Sequence, residues 1–315
     1  MYFMYKNLKL YLVIPVYNEE KLIIPTLKGV PKTIDKIMVV NDASTDKTAR
    51  LVLGYSKKDR RVKLVNHEKN AGVGQSIVTG YKKCAEEKAD VVVVVGGDNQ
   101  MDLADLPNFL EPFVKDEADY VKGNRFLWRS LKDMPKHRFF GNSLLSLMTK
   151  IASGYWKIFD TQDGYTAISR RVIETVDWNR AWKGYGYVSD WLIKFNAYGF
   201  RVKDVPRRPI YLKGEKQSQI RIGRYAVKIM PLLLRGFFWR LKEKYIVRDF
   251  HPLVFFYIFG LMLLPLGLIS GLWLLYHRIF IGNISSTTAI LSALFIISGL
   301  QLVLFAMLFD MEASD

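Results

Sequence analysis

Short runs of β-branched residues alternate with amphipathic stretches over the first 125 residues of the chain. The runs predict strands at 11–14, 37–40, 62–65, 91–95 and 120–121, and the stretches between them predict helices at 19–28, 45–53, 74–86 and 104–114. This alternation favours an α/β fold with a mostly parallel sheet. The uninterrupted valines from Val91 to Val95 predict a central strand that is buried on both faces.

The C-terminal part of the chain is strongly hydrophobic. Neither 252–276 nor 284–309 contains a charged residue, and each is longer than the roughly 20 residues that cross a bilayer as a helix. Two transmembrane helices joined by a loop at 277–283 are therefore predicted, because core helices of that length usually carry a polar stripe. Gly267 and Gly271 form a small-xxx-small pair that favours close packing of the two helices.

The segment 221–250 is basic and amphipathic. Its cations recur every seven residues, which places them on about one helical face: Arg221, Lys228, Arg235 and Lys242. Helices lying in the lipid headgroup layer, kinked or split at Pro231, are predicted, and the alternative is an ordinary helix with a solvated basic face. The predicted domains are thus 1–220, the juxtamembrane helices 221–250 and a transmembrane hairpin at 251–315.

Charge is unevenly distributed along the chain. The formal net charge is +16, yet residues 1–248 hold 45 basic against 26 acidic residues. A basic surface next to a membrane anchor favours anionic lipids and phosphorylated substrates as partners over nucleic acid. Arg278 is the only lysine or arginine in the loop between the predicted spans. The positive-inside rule therefore predicts an integral membrane protein with the large domain and both termini in the cytosol. The lone Cys84 cannot form an internal disulfide and fits a reducing compartment.

Carboxylates follow three of the predicted strands. Glu19 comes after the first, Asp42 after the second and Asp98 after the fourth, and the ends of parallel strands share one edge of a sheet. Such oxygens suit the base and ribose of a nucleotide and a divalent cation beside its pyrophosphate. The chain has no glycine fingerprint after the first strand and no Walker lysine, which disfavours a dinucleotide site and a P-loop site. Taken singly, acids such as Asp46 are more typical of helix caps and turns.

The order of these motifs along the chain resembles that of a known protein family. Residues 15–20, 41–46, 70–74 and 96–102 are followed by Gly123-Asn124-Arg125-Phe126, by the segment 135–142 and by 160–165. From about residue 10 to 221 the chain resembles the family 2 glycosyltransferases of GT-A fold, and among them the polyprenyl-phosphate (dolichyl-phosphate) mannose and glucose synthases. The resemblance implies a GT-A catalytic domain, Rossmann-like and with a mostly parallel sheet, followed by interfacial amphipathic helices and two transmembrane helices.

The resemblance also implies roles for individual residues. The nucleotide would be bound by Pro15, Tyr17, Glu19, Asp42, Gly72 and Asp98. The acceptor phosphate would be bound by Arg125, Arg138, Asn142, Ser218 and Arg221. The metal, Mg²⁺ or Mn²⁺, would be bound by Asp98 and Gln100, and the catalytic residues would be Asp98, Asp190 and Arg125. Gly96 departs from the family pattern because it occupies the first acidic position of the usual Asp-x-Asp metal motif, which leaves Asp98 with Gln100 or Asp102.

The expected function is an inverting, metal-dependent transfer of a hexose from a UDP- or GDP-linked sugar to a polyprenyl or dolichyl phosphate at the cytosolic face of the membrane. A lipid phosphate is already largely anionic at pH 7 and needs no strong general base. One alternative is a membrane glycosyltransferase with a glycolipid hydroxyl as acceptor, for which Asp190 would be the base. The other is a membrane protein that binds nucleotide sugars without turnover. The sequence assigns neither the donor sugar nor the nucleotide, and it leaves a homo-oligomer open.

Overall fold

A computed structural model of the protein describes residues 8–127, 136–184, 186–208, 210 and 222–313, with the side chains of 136–140, 142 and 222–227 outside that description. One sheet contains seven strands: β1 (Leu10–Val16), β2 (Lys36–Asn41), β3 (Val62–Asn66), β4 (Val91–Val94), β5 (Tyr120–Asn124), β6 (Thr166–Ser169) and β7 (Val202–Pro206). Their order is β3-β2-β1-β4-β6-β5-β7, and β6 alone runs antiparallel to its neighbours. The predicted mostly parallel sheet is confirmed.

Helices connect the strands and follow the sheet. They are α1 (Ile23–Lys28), α2 (Thr48–Ser56), α3 (Val73–Glu86), α4 (Leu106–Val114), α5 (Lys136–Ser153), α6 (Arg170–Thr175), α7 (Tyr187–Ala197), α8 (Ile222–Lys242), α9 (Leu253–Phe280) and α10 (Ser286–Glu312). Two of the predicted helices begin later than expected because the residues before them form turns. Asp46 accepts a hydrogen bond from Thr48 N at 2.9 Å and one from Glu20 N at 3.1 Å, which agrees with its interpretation as a turn residue.

Strand β4 lies at the centre of the described sheet and is buried on both faces. Val92 and Val94 belong to one hydrophobic core, which α3 and α7 cover, while Val91 and Val93 belong to a second core on the opposite face, which α4 covers. Successive side chains of a strand point to opposite faces, so a strand that is covered on both sides must be hydrophobic at every position. The prediction from the valine run is confirmed.

Helix α8 is continuous through Pro231, so of the two predicted possibilities, a kink or a split, the split is wrong. Proline lacks the N–H that would bond to the preceding turn, but Ile229 and Leu233 are buried on either side of it, and packing of that face keeps the helix intact. A π-helix, Glu243–Arg248, follows α8. The chain forms two compact units that divide between Phe237 and Phe238. The three-part division at 220 and 250 stays a prediction.

Helices α9 and α10 are candidate membrane spans by length and composition. Only 22% of the most apolar part of α9 and 17% of that of α10 is buried, whereas a core helix of a soluble protein is mostly buried. The predicted loop at 277–283 is wrong in its bounds, because α9 continues to Phe280 and five residues, 281–285, form the connection.

The two helices of the hairpin pack closely at glycines. A Cβ added to Gly299 would lie 2.5 Å from Leu264 N, and one added to Gly267 would lie 2.7 Å from Ile296 N. The predicted role of Gly267 in helix packing is thereby confirmed. A Cβ on Gly271 would meet only the Ile296 side chain, at 3.7 Å, so its contribution is smaller.

A buried ion pair lies inside the C-terminal unit. Arg240 donates two hydrogen bonds to Asp310, at 2.7 and 2.8 Å, and the Tyr245 hydroxyl donates a third at 2.5 Å. Both charged side chains are fully buried. Because a charge is costly to bury without a partner, this contact connects the end of α10 firmly to Arg240 in the last turn of α8 and to Tyr245 in the π-helix that follows.

We expect Arg240→Met to lower the free energy of unfolding by about 3–5 kcal/mol, since it leaves the Asp310 carboxylate buried without its cation. Denaturant unfolding of the full chain in detergent micelles measures this change. Lys242→Met is the matched control, because Lys242 is exposed on the same helix, and its effect should stay within about 0.5 kcal/mol. Equal losses in the two variants would contradict a stabilising role for the ion pair.

Candidate functional site

The carboxyl ends of β1, β2 and β4 lie side by side, because β1 pairs in parallel with both other strands. Asp42 N donates to Val16 O at 2.9 Å, which keeps the segment after β2 beside the end of β1. Pro15 lies within β1, while Tyr17 and Glu19 follow it, and Tyr17 is 49% exposed. The structure thus brings together the residues predicted to bind the base and ribose.

The buried Asp42 carboxylate holds a glycine loop, which we define as residues 70–74. Its two oxygens accept hydrogen bonds from Ala71 N and Gly72 N, both at 2.9 Å. His67 Nδ1 lies 2.8 Å from the same carboxylate, and His67 Nε2 lies 3.0 Å from the Thr79 hydroxyl. The Asp42 side chain is therefore fixed in orientation by three neighbours, of which sequence reasoning missed His67.

A backbone carbonyl from another part of the chain lies so close to this loop that two of its positions have room only for glycine. Lys183 O accepts hydrogen bonds from Gly74 N at 2.8 Å and from Gln75 N at 3.3 Å, in the first turn of α3. A Cβ on either Gly72 or Gly74 would lie 2.8 Å from Lys183 O. Gly72 also has a φ of +92°, a conformation that other residues rarely adopt. Gly72 and Gly74 therefore allow one segment of the chain to approach another closely.

The Asp98 carboxylate follows β4 at the same edge. Gln100 N donates to its Oδ1 at 3.1 Å, and among the described residues no other neighbour donates to it. Burial raises the pKa of Asp98, while the Gln100 amide and the positive charge of Arg207 oppose that shift. Within the described part of the chain, no three His, Cys, Asp or Glu side chains form a metal site. A cation here would therefore need ligands besides Asp98, such as Gln100 and the oxygens of a nucleotide.

A network of charged side chains, most of them buried, lies at the other end of this edge of the sheet, beside β5, β6 and β7. The Arg125 guanidinium donates two hydrogen bonds to Asp160, at 2.6 and 2.8 Å, and its Nε lies 3.3 Å from Asp163 Oδ2. Burial of Asp160 opposes its ionisation, but Arg125 outweighs that effect and lowers the pKa of Asp160 to about 2. Arg207 donates to Asp163 at 2.6 Å and to Gln100 O at 3.2 Å. This network therefore connects Arg125, which is predicted to bind the acceptor phosphate, with the segment 96–102 that follows β4, which we call the Asp98 loop.

Sequence reasoning missed Arg207 and the neighbouring buried pair of Lys122 and Asp204, whose charged groups lie 3.1 Å apart. Strands β5 and β7 run in the same direction as β4, so the residues that follow them reach the same edge. Arg125 follows β5 and Arg207 follows β7. The rule that located Asp42 and Asp98 would also have located Arg207 if β7 had been predicted.

Asp190 lies in the first turn of α7 and is engaged by protein groups on both oxygens. Lys194 Nζ is 2.6 Å from each oxygen, and Trp182 N donates to Oδ2 at 2.8 Å. The beginning of α7 lies near the Asp98 loop, because a Cβ on Gly164 would be 3.2 Å from Tyr187 Oη and 3.5 Å from Met101 Cε. The remaining predicted acceptor residues are not placed: the Arg138 and Asn142 side chains lie outside the described set, as do residues Ser218 and Arg221.

Comparison with known proteins identifies relatives of the chain. A family model, Glycosyl transferase family 2, matches residues 11–177. The UDP-N-acetylglucosamine–dolichyl-phosphate N-acetylglucosaminyltransferase of Methanococcus voltae is 30% identical over 216 residues, which cover 64% of this chain and 86% of that protein. A dolichyl-phosphate beta-glucosyltransferase of Trichomonas vaginalis is 24% identical over 251 residues, with 74% and 76% covered.

Solved structures share the fold. Glucosyl-3-phosphoglycerate synthase from Mycobacterium tuberculosis, crystallised with Mn²⁺, uridine diphosphate and phosphoglyceric acid, superimposes with a TM-score of 0.54 at 18% identity. The match covers 74% of this chain and 80% of that chain. Together with the strand order, this likeness confirms the predicted GT-A fold.

We expect Gly72→Ala to destabilise the chain by about 1–3 kcal/mol and to weaken nucleotide binding, because the added Cβ meets Lys183 O and the positive φ becomes strained. Gly54→Ala is the control, since a Cβ at this position within α2 meets nothing within 4 Å. It should stabilise the chain by about 0.5–1 kcal/mol. Thermal unfolding and titration with UDP and GDP measure both variants, and unchanged nucleotide affinity in Gly72→Ala would argue against the loop as part of the site.

Proposed function

Because the chain belongs to glycosyl transferase family 2 and is therefore a glycosyltransferase, we propose that it moves a hexose from a nucleotide sugar to a polyprenyl or dolichyl phosphate. The Methanococcus voltae and Trichomonas vaginalis relatives are named for transfer to dolichyl phosphate, and they are named for different sugars. Their names thus support the acceptor class and leave the sugar undetermined. The uridine nucleotide in the name of the first relative supports testing UDP-sugars before GDP-sugars.

The observation that carries the proposal is the burial of Asp98 together with its few hydrogen bonds. Its carboxylate is half-buried, which raises its pKa, and the described residues supply it with one hydrogen bond from a neighbour. Burial outweighs the nearby positive charge of Arg207, so the Asp98 carboxylate is incompletely neutralised, and Mg²⁺ or Mn²⁺ would supply the remaining positive charge. Asp98 and Gln100 are the residues proposed to hold the ion, together with oxygens of the nucleotide. When bound, the ion supplies charge that stabilises the departing nucleoside diphosphate.

The nucleoside is proposed to lie at the ends of β1 and β2. Pro15, Tyr17 and Glu19 would contact the base and ribose from one side, with the exposed Tyr17 ring available for stacking. The Asp42 carboxylate and Gly72 would form the other side. Since Asp42 already orders the glycine loop, it would act on the nucleotide both by direct contact and by fixing the backbone that borders the site.

The acceptor phosphate is proposed to meet Arg125, Arg138, Asn142, Ser218 and Arg221. The Arg125 side chain is ordered by Asp160 and Asp163 and keeps 21% exposure, so it is held in place while still reaching the surface. The cations would align the anionic phosphate for attack on the anomeric carbon opposite the leaving group, which inverts that carbon. No proton has to be removed from such a nucleophile.

The surroundings of Asp190 favour a phosphate over a hydroxyl as acceptor. A hydroxyl nucleophile needs a base, and Asp190 is the residue that the sequence suggests for it. However, the Asp190 side chain is only 8% exposed, and Lys194 and Trp182 N bind its oxygens. The third candidate is a membrane protein that binds nucleotide sugars without turnover. Transfer by the wild-type chain would exclude it.

We place the protein in the membrane through α9 and α10, with the catalytic domain and both termini in the cytosol. The high exposure of apolar side chains on both helices supports this location. The orientation rests on the positive-inside rule, and α8 with the following residues would contact the lipid headgroups through exposed cations and exposed apolar residues such as Leu234 and Phe238.

The function is tested with membranes that contain the full chain, a panel of radiolabelled UDP- and GDP-sugars, and polyprenyl phosphate. We expect one donor to label the lipid, and activity to fall below a pH of about 6, where the acceptor phosphate itself becomes protonated. Polyprenol without phosphate is the control acceptor. Comparable transfer to polyprenol would overturn the proposal in favour of a hydroxyl acceptor, and binding of nucleotide with no transfer from any donor would favour the protein without turnover.

The metal site is tested by a pair of substitutions. Asp98→Asn should reduce transfer at least about 100-fold and abolish the rise in melting temperature that Mg²⁺ or Mn²⁺ produces, because an amide binds these ions poorly. Its melting temperature without metal should not change much, since the amide oxygen can still accept from Gln100 N.

Gly96→Asp should have the opposite effect on metal affinity. The φ of Gly96 is not positive, and an added Cβ would lie 2.9 Å from Asp98 Oδ1, a side-chain atom that can move. Two adjacent carboxylates repel each other without a cation, so the metal-dependent rise in melting temperature should exceed that of the wild type. A metal response that is unchanged in both variants would place the ion elsewhere.

A further inference from the structure

A three-residue segment, Trp182-Lys183-Gly184, connects Asp190 to the glycine loop. We infer that Asp190 is a positioning residue for the nucleotide site: its carboxylate holds this segment, and the segment holds the glycine loop. The inference rests on the proposed function, because it assumes that the glycine loop borders the bound nucleotide sugar. It gives Asp190 a role that is distinct from that of a base.

The first link is the Asp190 carboxylate itself. Trp182 N donates to Oδ2 at 2.8 Å, and Lys194, one helical turn further along α7, binds both oxygens at 2.6 Å. The Lys194 side chain is 12% exposed, so the ion pair is largely desolvated and correspondingly strong. Because the carboxylate is buried and its oxygens already have protein donors, it is built to hold a backbone amide.

The second link is the Lys183 carbonyl, the next polar backbone group along the segment. It accepts from Gly74 N and Gln75 N, two amides in the first turn of α3. Such amides have no partner within their own helix and are satisfied by a group from outside. In this protein that group is fixed by Asp190, and Gly72 and Gly74 provide the space for its approach.

The glycine loop is therefore held from two sides by two carboxylates, Asp42 and Asp190, and we call this arrangement the clamp. Asp42 binds Ala71 N and Gly72 N directly, while Asp190 acts on Gly74 N and Gln75 N through Trp182 and Lys183. If Asp190 releases the segment, the Asp42 side of the clamp remains and the loop is held at one end only. Binding of the donor should then weaken, while the chemical step with bound donor should persist.

A charge-matched double variant separates this role from that of a base. Asp190→Asn keeps an oxygen that can accept from Trp182 N, but it takes the negative charge of Asp190 away from the largely buried Lys194. Lys194→Gln removes the positive charge as well and lets the two amide side chains bond to each other. The double variant therefore restores the support of the segment, yet it contains no carboxylate at position 190.

We expect the donor KM of Asp190→Asn to rise about tenfold or more with kcat changed much less, since one charged hydrogen-bonded partner is lost. The double variant should return to within about threefold of the wild-type KM, because a neutral hydrogen bond replaces the charged one. The pH profile of kcat should be the same in all three proteins. A double variant with kcat as low as that of an enzyme without its base, about 100-fold down or more, would overturn the inference.

Gly74→Ala tests the same clamp from its other side without changing Asp190. Its Cβ would lie 2.8 Å from Lys183 O and 2.9 Å from Trp182 O, both backbone atoms, so the segment must move away. We expect the donor KM to rise as in Asp190→Asn. Gly54→Ala is again the control for an added methyl group in a helix, and a wild-type KM in Gly74→Ala would contradict the clamp.

Hydrogen exchange decides the inference even where transfer cannot be measured. The amides of Gly74 and Gln75 should exchange at least about tenfold faster in Asp190→Asn and at nearly the wild-type rate in the double variant. Unchanged exchange in Asp190→Asn would overturn the inference. If the wild-type chain transfers no sugar to polyprenyl phosphate, the proposed function fails, but these exchange rates still show whether Asp190 holds the loop.

Discussion

Strand β4 consists of four valines and has no polar residue to place at a surface, so it must lie between two hydrophobic layers. This constraint orders the sheet, with β1 parallel on one side and β6 antiparallel on the other. It also determines where Asp98 emerges. After Val95 the chain passes beside β1 at Gly97, where a Cβ would lie 2.6 Å from Val16 Cγ1, so glycine is the residue that fits. Asp98 then reaches the edge next to the predicted nucleotide residues.

The other half of the edge depends on charge rather than on hydrophobic burial. Arg125 and Arg207 follow β5 and β7, and they meet Asp160 and Asp163, which come from the loop before β6. Ions at such depth are stable only when each has a partner with good geometry. The network therefore orients Arg125, the described arginine that is predicted to bind the acceptor phosphate, and it restrains the Asp98 loop through the bond from Arg207 to Gln100 O.

The hydrophobic pattern predicts the first five strands, the helices between them and both candidate spans, because each of these has a strong periodicity or a long apolar run. It does not predict β6 or β7. Strand β6 is four residues long, and β7 contains Lys203 and Asp204, so neither leaves a clear signal. The acids after β1, β2 and β4 follow from sheet topology. The role of the Lys183 carbonyl cannot be read from a sequence, since every residue has a backbone carbonyl and only the fold selects one.

The acids at the edge differ in how the protein uses them, and this difference bears on the departure at Gly96. Asp42, Asp163 and Asp190 direct their carboxylates to protein donors and so stabilise the backbone around the site. Asp98 receives one hydrogen bond from a neighbour among the described residues and is raised in pKa by burial. With glycine in place of a second acid, a cation at Asp98 would be bound more weakly by the protein alone. Such an ion would depend on the pyrophosphate for its remaining ligands, which would couple metal binding to donor binding.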